Sequence, residues 1–271
     1  MADGRAWAGG SFGSVAHCVL APNASPMTLD GTNTWVLRAP GGRRSVVVDP
    51  GPDDPVHLDA IAAVAGEVAV VLLTHHHLDH SEAAAQFARR MGCGVRALDP
   101  AYRLGAEGLG EGDVVAVDDL ELEVVATPGH TADSLSFLIR GDRAVLTGDT
   151  VLGRGTTVVA HPDGHLGAYL GSLGRLRDLA EAHEVATIWP GHGPVIAEAL
   201  PALEGYLRHR EARLEQVRAA RAEILAAHPS DAGEPVDLAR AIVESVYADV
   251  DPVLWGAAEL SVRAQLAYLA S

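Results

Sequence analysis

The sequence predicts an α/β sandwich followed by a small all-helical module, and three observations carry that expectation. Short β-branched runs separated by turn residues fill the chain from residue 34 to about 150. One of them, VAVVLLT (68–74), is continuously apolar, as in a strand buried on both faces. After Pro194 only helical patterns remain. Strands first outnumber helices and the order then repeats loosely, which fits a sandwich better than a strictly alternating parallel sheet. With 271 residues, the chain has room for one large core and an appendage.

Taken in order, TWVLR (34–38) and SVVVD (45–49) are joined by APGG and read as a hairpin. Pro50-Gly51-Pro52 stops the second strand, and residues 57–65 carry apolar positions at helical spacing. After the run at 68–74, residues 81–91 read as a helix ended by Gly92. Strands follow at 121–127, 134–140 and 143–147, then a helix at 169–182 and a short strand at 187–189. A long helix rich in arginine and glutamate spans 203–227 and ends near His228-Pro229, before the polar linker SDAGEP (230–235). Of two further helices, the first presents Leu238, Ala241, Ile242, Ser245 and Val246 on one face, and Asp251-Pro252 caps the second. The expected division is a catalytic domain over 1–199 and a helical module over 200–271.

Composition narrows the function classes. Apolar residues make up 48% of the chain, and no stretch approaches the roughly 18 uninterrupted apolar residues of a membrane span. The first twenty residues lack the basic start and apolar run of a secretory signal, so the cytoplasm is the expected compartment. Cys18 and Cys93 match no zinc or redox spacing and read as reduced thiols. The formal net charge is −16 and every one of the twenty basic residues is arginine, a balance that disfavours polyanionic partners.

The thirteen histidines carry the chemistry. THHHLDHS (74–81) stands between a buried strand and a helix. In extended backbone, residues two apart point the same way, so His75 and His77 can bind one ion together. The chain then turns, and Asp79 and His80 face a neighbouring position. Imidazole and carboxylate suit zinc, and also iron or manganese. His130 in TPGHT, Asp149 in LTGDT and His192 in PGHGP recur at strand ends beside glycines that let the backbone turn sharply. Five histidines and two aspartates so placed are hard to explain as solvated surface residues. His76 alternates with its neighbours and points away, and His161 and His165 lie in a nearby Pro/Gly loop.

The ordered set HxHxDH, TPGHT, GD and PGHGP resembles the metallo-β-lactamase superfamily. That resemblance implies an αββα sandwich with a two-metal site at one edge. His75, His77 and His130 would hold the first ion, Asp79, His80 and His192 the second, and Asp149 would bridge them. Zinc is the expected metal, with iron or manganese as alternatives, and Asp79 is also expected to be catalytic. Asp49, in VVVDPG, would be a buried support for the ligands, while Asn33, Arg154, Thr156 and Thr157 would support or line the cleft. PMTLDGTNTWVL (26–37) and GDTVLGRGTTVV (148–159) further resemble the β-lactamase-like protein 2 subfamily, whose better-studied animal members are endoribonucleases. Beside that subfamily the C-terminal module looks like a winged helix cut short, with no residues after the last helix for the wing.

Two ions bridged by a water would generate hydroxide near neutral pH, with no Ser or Cys nucleophile required. Three functions remain: hydrolysis of a small ester or thioester, cleavage of single-stranded RNA, and an iron-dependent oxidoreductase on the same ligands. Charge favours the first. From 200 to 226 there are five Arg against four Glu, and from 230 to 271 two Arg against seven acids, the reverse of a nucleic-acid-binding module.

Overall fold

Period-two alternation decides which face each strand buries, and the strands form two sheets between outer layers of helices. The computed structural model describes residues 6–227 and 237–270. One sheet holds six strands in sequential order: β1 (Gly10–Phe12), β2 (Ala16–Leu20), β3 (Asn33–Leu37), β4 (Arg44–Val48), β5 (Glu67–Leu72) and β6 (Gly94–Arg96). The second holds β7 (Val114–Val117), β8 (Leu120–Ala126), β9 (Leu135–Ile139), β10 (Ala144–Gly148) and β11 (Thr187–Pro190). In β4, Val46 and Val48 face the second sheet while Val47 faces outward under helices.

The core between the sheets joins Trp35, Leu37, Val46 and Leu72 to Leu122, Phe137, Leu146 and Trp189. Trp35 and Trp189 stack across it with ring centroids 5.3 Å apart. Outside the first sheet, α1 (Pro55–Ala65) and α3 (Ala84–Met91) cover Val36, Val47 and Val71 with Leu58, Ile61 and Phe87. Outside the second, α4 (Leu166–Ala182) covers Leu138, Val145 and Ile188 with Tyr169, Leu173 and Leu176. The architecture is the expected αββα sandwich.

The expected hairpin is present as antiparallel β3 and β4. The helix expected at 81–91 is broken: α2 (Leu78–Ser81) is one turn, and α3 begins afresh at Ala84 before Gly92 closes it in the left-handed conformation. β1, β2, β6 and β7 escape the sequence reading: β1, β2 and β6 lack a β-branched run, and β7, with the sequence VVAV, is only four residues long. Parallel pairing of β4 with β5 and of β10 with β11 brings the C-terminal ends of both pairs to one edge of the sandwich.

The helices after that edge are α5 (Ala199–Ala227), α6 (Leu238–Val246) and α7 (Trp255–Ala270). Leu203, Tyr206 and Leu214 of α5 join the core of α4, whereas Val217 and Ala220 pack with Ile242, Val243 and Val262. On α6 the buried face is Ala239, Ile242 and Val243, rotated from the expected one and leaving Ser245 exposed. Asp251 and Pro252 open a short 3-10 turn, Pro252–Leu254, ahead of α7. His228-Pro229 and the linker 230–235 lie outside the described residues.

Tyr206 ties α5 to the loop beyond β10. Its hydroxyl accepts from the Leu152 amide at 2.9 Å and lies 3.1 Å from the Leu152 and Gly155 carbonyls, to which it can donate. Tyr206→Phe should strand a buried amide and lower the unfolding free energy by about 1–3 kcal/mol, read as a lower urea midpoint at unchanged slope.

Candidate metal centre

Every sequence-predicted ligand comes from the shared C-terminal edge of the strands. β5 leads into His75, His77, Asp79 and His80; β8 leads to His130; β10 ends just before Asp149; β11 ends just before His192. The side chains converge in three overlapping groups: His75, His77 and His130; His75, His80 and Asp149; Asp79, His80 and His192. Within each group the candidate ligand atoms lie within 4.8 Å of one another.

Ring-nitrogen contacts define the geometry. His77 Nδ1 is 3.1 Å from His75 Nε2 and 3.0 Å from His130 Nε2, and His80 Nε2 is 3.2 Å from His192 Nε2. The Asp149 carboxylate lies between the two halves, 3.4 Å from His80 Nε2, 3.3 Å from His192 Nε2 and 3.8 Å from His130 Nε2. Asp79 Oδ2 is 3.1 Å from His192 Nε2.

The opposite nitrogens are already committed. His130 Nδ1 donates to the Val158 carbonyl at 2.7 Å and His192 Nδ1 to the Gly31 carbonyl at 3.1 Å. His80 Nδ1 donates to Asp49 Oδ2 at 2.9 Å. Thr74 Oγ1 gives its proton to Asp49 at 2.6 Å and so accepts from His75 Nδ1 at 2.9 Å. These outer bonds fix the tautomers and leave the Nε2 lone pairs of four rings aimed inward.

The donor set fits divalent metal ions. Lone pairs facing one another at these separations repel unless a proton or a cation sits among them. Asp149 Oδ1 is buried and has no hydrogen-bond partner among the described residues, the state expected of an oxygen reserved for a metal. Gly191 leaves the required space, since a β-carbon there would meet Asp149 Oδ1 and come within 2.8 Å of His80 Cε1.

Electrostatics divides the cluster in two. Burial lowers His75 and His130 and pushes His77 down to about 4, so these three rings stay neutral. Burial also opposes charge on His80 and His192, but Asp149 and the neighbouring carboxylates outweigh it, raising His80 and carrying His192 to about 9. For Asp149, burial would raise the carboxyl, but His192 and His80 hold it well below the usual range.

Asp49 is buried beside the cluster. Besides His80 and Thr74 Oγ1, it accepts from the Thr74 amide at 2.8 Å, and its own backbone sits in the left-handed region at φ 52°. Asn33 is fully buried away from the cleft; its amide donates to the Pro190 and Gly193 carbonyls, bracing the loop that carries His192. His76 points away from the cluster and pairs with Asp133 at 2.8 Å. Thr74, the bridge between Asp49 and His75, escaped the sequence reading because a threonine before a histidine carries no signal of its own.

Beside His130 and Asp149 opens a cavity of about 310 Å³. One wall is the loop with Arg154, Thr156 and Thr157; the other is formed by α5, the segment after α6, and α7. Arg154 is ion-paired with Asp30. Arg210 and Arg213, which the sequence grouped with the glutamate-paired arginines of α5, turn into the cavity instead.

Residues 27–192 match the family profile described as the metallo-beta-lactamase superfamily. The chain belongs to that superfamily, a superfamily of metal-dependent hydrolases. Among the relatives of this superfamily member, the lactamase-like protein aptB of Emericella nidulans is 36% identical over 74% of this chain and 63% of its own length. The β-lactamase-like protein 2 homolog of Caenorhabditis elegans is 33% identical over 73% of this chain and 68% of its own. An atrochrysone carboxyl ACP thioesterase of Aspergillus chevalieri is 30% identical over 86% of this chain and 73% of its own. The chain thus spans under two thirds of the Emericella relative's length. A β-lactamase domain protein from Burkholderia ambifaria shares the fold with a TM-score of 0.76 at 24% identity, over 99% of this chain and 91% of the other.

Two outcomes follow. Asp49→Asn should weaken metal affinity about 10–100-fold, because an amide has one acceptor atom and cannot accept from the Thr74 amide at one position as well as from Thr74 Oγ1 and His80 Nδ1 at the other. Competition with a chromophoric chelator measures it, and unchanged affinity would mean that Asp49 does not orient the ligands. Because His192 is raised to about 9, it is protonated in the metal-free protein at neutral pH, and an incoming cation must displace that proton. Calorimetric titration in buffers of different ionisation enthalpy should show roughly one to two protons released per chain at pH 7, with apparent affinity rising up to about pH 9.

Proposed function

We propose that the chain is a binuclear metal-dependent hydrolase acting on a small ester or thioester. The observation that carries this reading is the cavity itself: a pocket of about 310 Å³, lined by groups such as Met27, Leu29, Leu152, Val250 and Leu254, set against His130 and Asp149. Such a space suits an acyl group better than a polymer. The relative named as an ACP thioesterase, which matches 86% of the chain, supports the same substrate class.

His75, His77 and His130 would hold one ion and Asp79, His80 and His192 the other, with Asp149 between them and zinc favoured by the imidazole and carboxylate donors. Bound there, a pair of divalent ions supplies Lewis acidity for attack of water on a carbonyl. Hydrolysis then splits the ester or thioester into a carboxylic acid and an alcohol or thiol. The protein's part is positional. Asp49, Thr74 and the Val158 and Gly31 carbonyls hold the rings, and the apolar wall excludes bulk water from the acyl chain. Asp79, whose side chain is 30% exposed against 1% for His192, is the carboxylate open to solvent and thus placed to accept a proton from the attacking water.

The test compares kcat/KM for short acyl thioesters and for single-stranded RNA, at low and physiological salt, with metal-loaded protein. Thioesters should be turned over more efficiently, and His77→Ala should abolish turnover. Efficient RNA cleavage that is lost in His77→Ala and weakens steeply with salt would replace this reading with an endoribonuclease.

A further inference from the structure

Arg210 is a buried cation that forms no ion pair among the described residues. It is 8% exposed, its Nε has no hydrogen-bond partner, and no carboxylate lies within ion-pair distance of it among the described residues. Most arginines of this acidic chain are matched to acids, including Arg208 with Glu204 and Arg218 with Glu215 on the same helix. A buried guanidinium without a counter-charge is strongly unfavourable and persists only where a partner arrives or function requires it.

Its surroundings hold it rigidly. The Nη2 group donates to the Thr157 carbonyl, and the guanidinium carbon sits 5.0 Å from the centroid of the Tyr169 ring. Thr157 Oγ1 is in turn 3.3 Å from His130 Nδ1, so Arg210 is linked through one residue to a candidate metal ligand. Arg213 stands one helical turn further along, its Nη1 donating to the Val246 carbonyl at 2.6 Å and its guanidinium stacked 4.3 Å over the Tyr247 ring. It too lacks a carboxylate partner among the described residues, and both arginines line the cavity. Aromatic stacking and carbonyl contacts orient a guanidinium without neutralising it, which leaves its remaining N–H groups pre-organised for an anion.

We propose that Arg210 and Arg213 form a carboxylate-binding subsite, so that the substrate is an ester or thioester with an apolar body and a carboxylate on its acyl part. The proposal rests on reading this cavity as the acyl pocket of a hydrolase. Arg154 does not share the role, because Asp30 already neutralises it. A polyanion gains little here: the two arginines sit inside the pocket, and the chain as a whole carries a formal net charge of −16. A single small carboxylate can enter and reach the paired cations.

The test is calorimetric titration of the metal-loaded full chain with phenylbutyrate and with phenylbutyramide, which matches it in shape but carries no charge. The carboxylate should bind about tenfold tighter or more, the scale of one charge-assisted contact. Arg213→Gln, at the half-buried position, should remove most of that preference while leaving amide binding within about twofold, and Arg210→Gln should do the same if it folds. Arg208→Gln deletes the same charge outside the cavity and should keep the full preference. Equal affinity for the two probes, no binding of either, or a preference that survives Arg213→Gln because the carboxylate sits on the metals would overturn the subsite. A carboxylate preference of this pattern in a protein that hydrolyses no thioester would instead retain the subsite and reject the hydrolase.

Discussion

The mutual repulsion of inward-facing lone pairs governs this structure. Four imidazoles present Nε2 and a fifth presents Nδ1 to a common centre, with separations near 3 Å. Their other polar contacts are made outward, to Asp49, Thr74 and the backbone carbonyls of Gly31 and Val158. Protons on His80 and His192 can relieve part of the strain in the metal-free chain, held there by Asp149 and Asp79. On the His75, His77 and His130 side burial drives protons away, so a metal ion is the remaining way to satisfy three converging lone pairs.

The scaffold answers that constraint by topology. Parallel neighbours in each sheet end at one edge, where Gly148 leaves room for the Thr74 side chain and Gly191 for the carboxylate of Asp149. Packing does the rest. The Trp35 and Trp189 stack joins the sheets beneath the site, and the Trp35 indole donates to the Pro190 carbonyl at 3.1 Å, two residues from His192. A loop that carries a ligand is thereby anchored to the centre of the core.

Much of the candidate metal cluster was legible in the sequence because ligation demands particular residue types at particular spacings. Two histidines separated by one residue share a direction only in extended backbone, and glycine beside His130, Asp149 and His192 marks the turns that bring side chains to one point. The sandwich was legible for a similar reason, since runs such as VVV at 46–48 imply strands whatever surrounds them. The short strands β1, β2, β6 and β7 were not, because what makes them strands is the neighbour each pairs with. The roles of Arg210 and Arg213 were hidden by helix geometry. A long helix mixing arginine and glutamate looks solvated all round, and only the docking of α5 against α4 and the loop after β10 decides which arginines turn inward. Asn33 shows the converse: it sits in a stretch resembling the β-lactamase-like protein 2 subfamily, yet its NH2 group donates to the Pro190 and Gly193 carbonyls and its oxygen accepts from the Trp7 indole.

The C-terminal helices complete the account, since α5, α7 and the segment after α6 form one wall of the pocket beside the cluster and place cations in it. All of this depends on the cluster being a two-metal centre. Elemental analysis of protein purified without chelator tests that most directly. Close to two equivalents of zinc per chain, falling when Asp149 is replaced by Ala, is the result expected. A single tightly held ion, or a predominance of iron, would contradict the zinc pair.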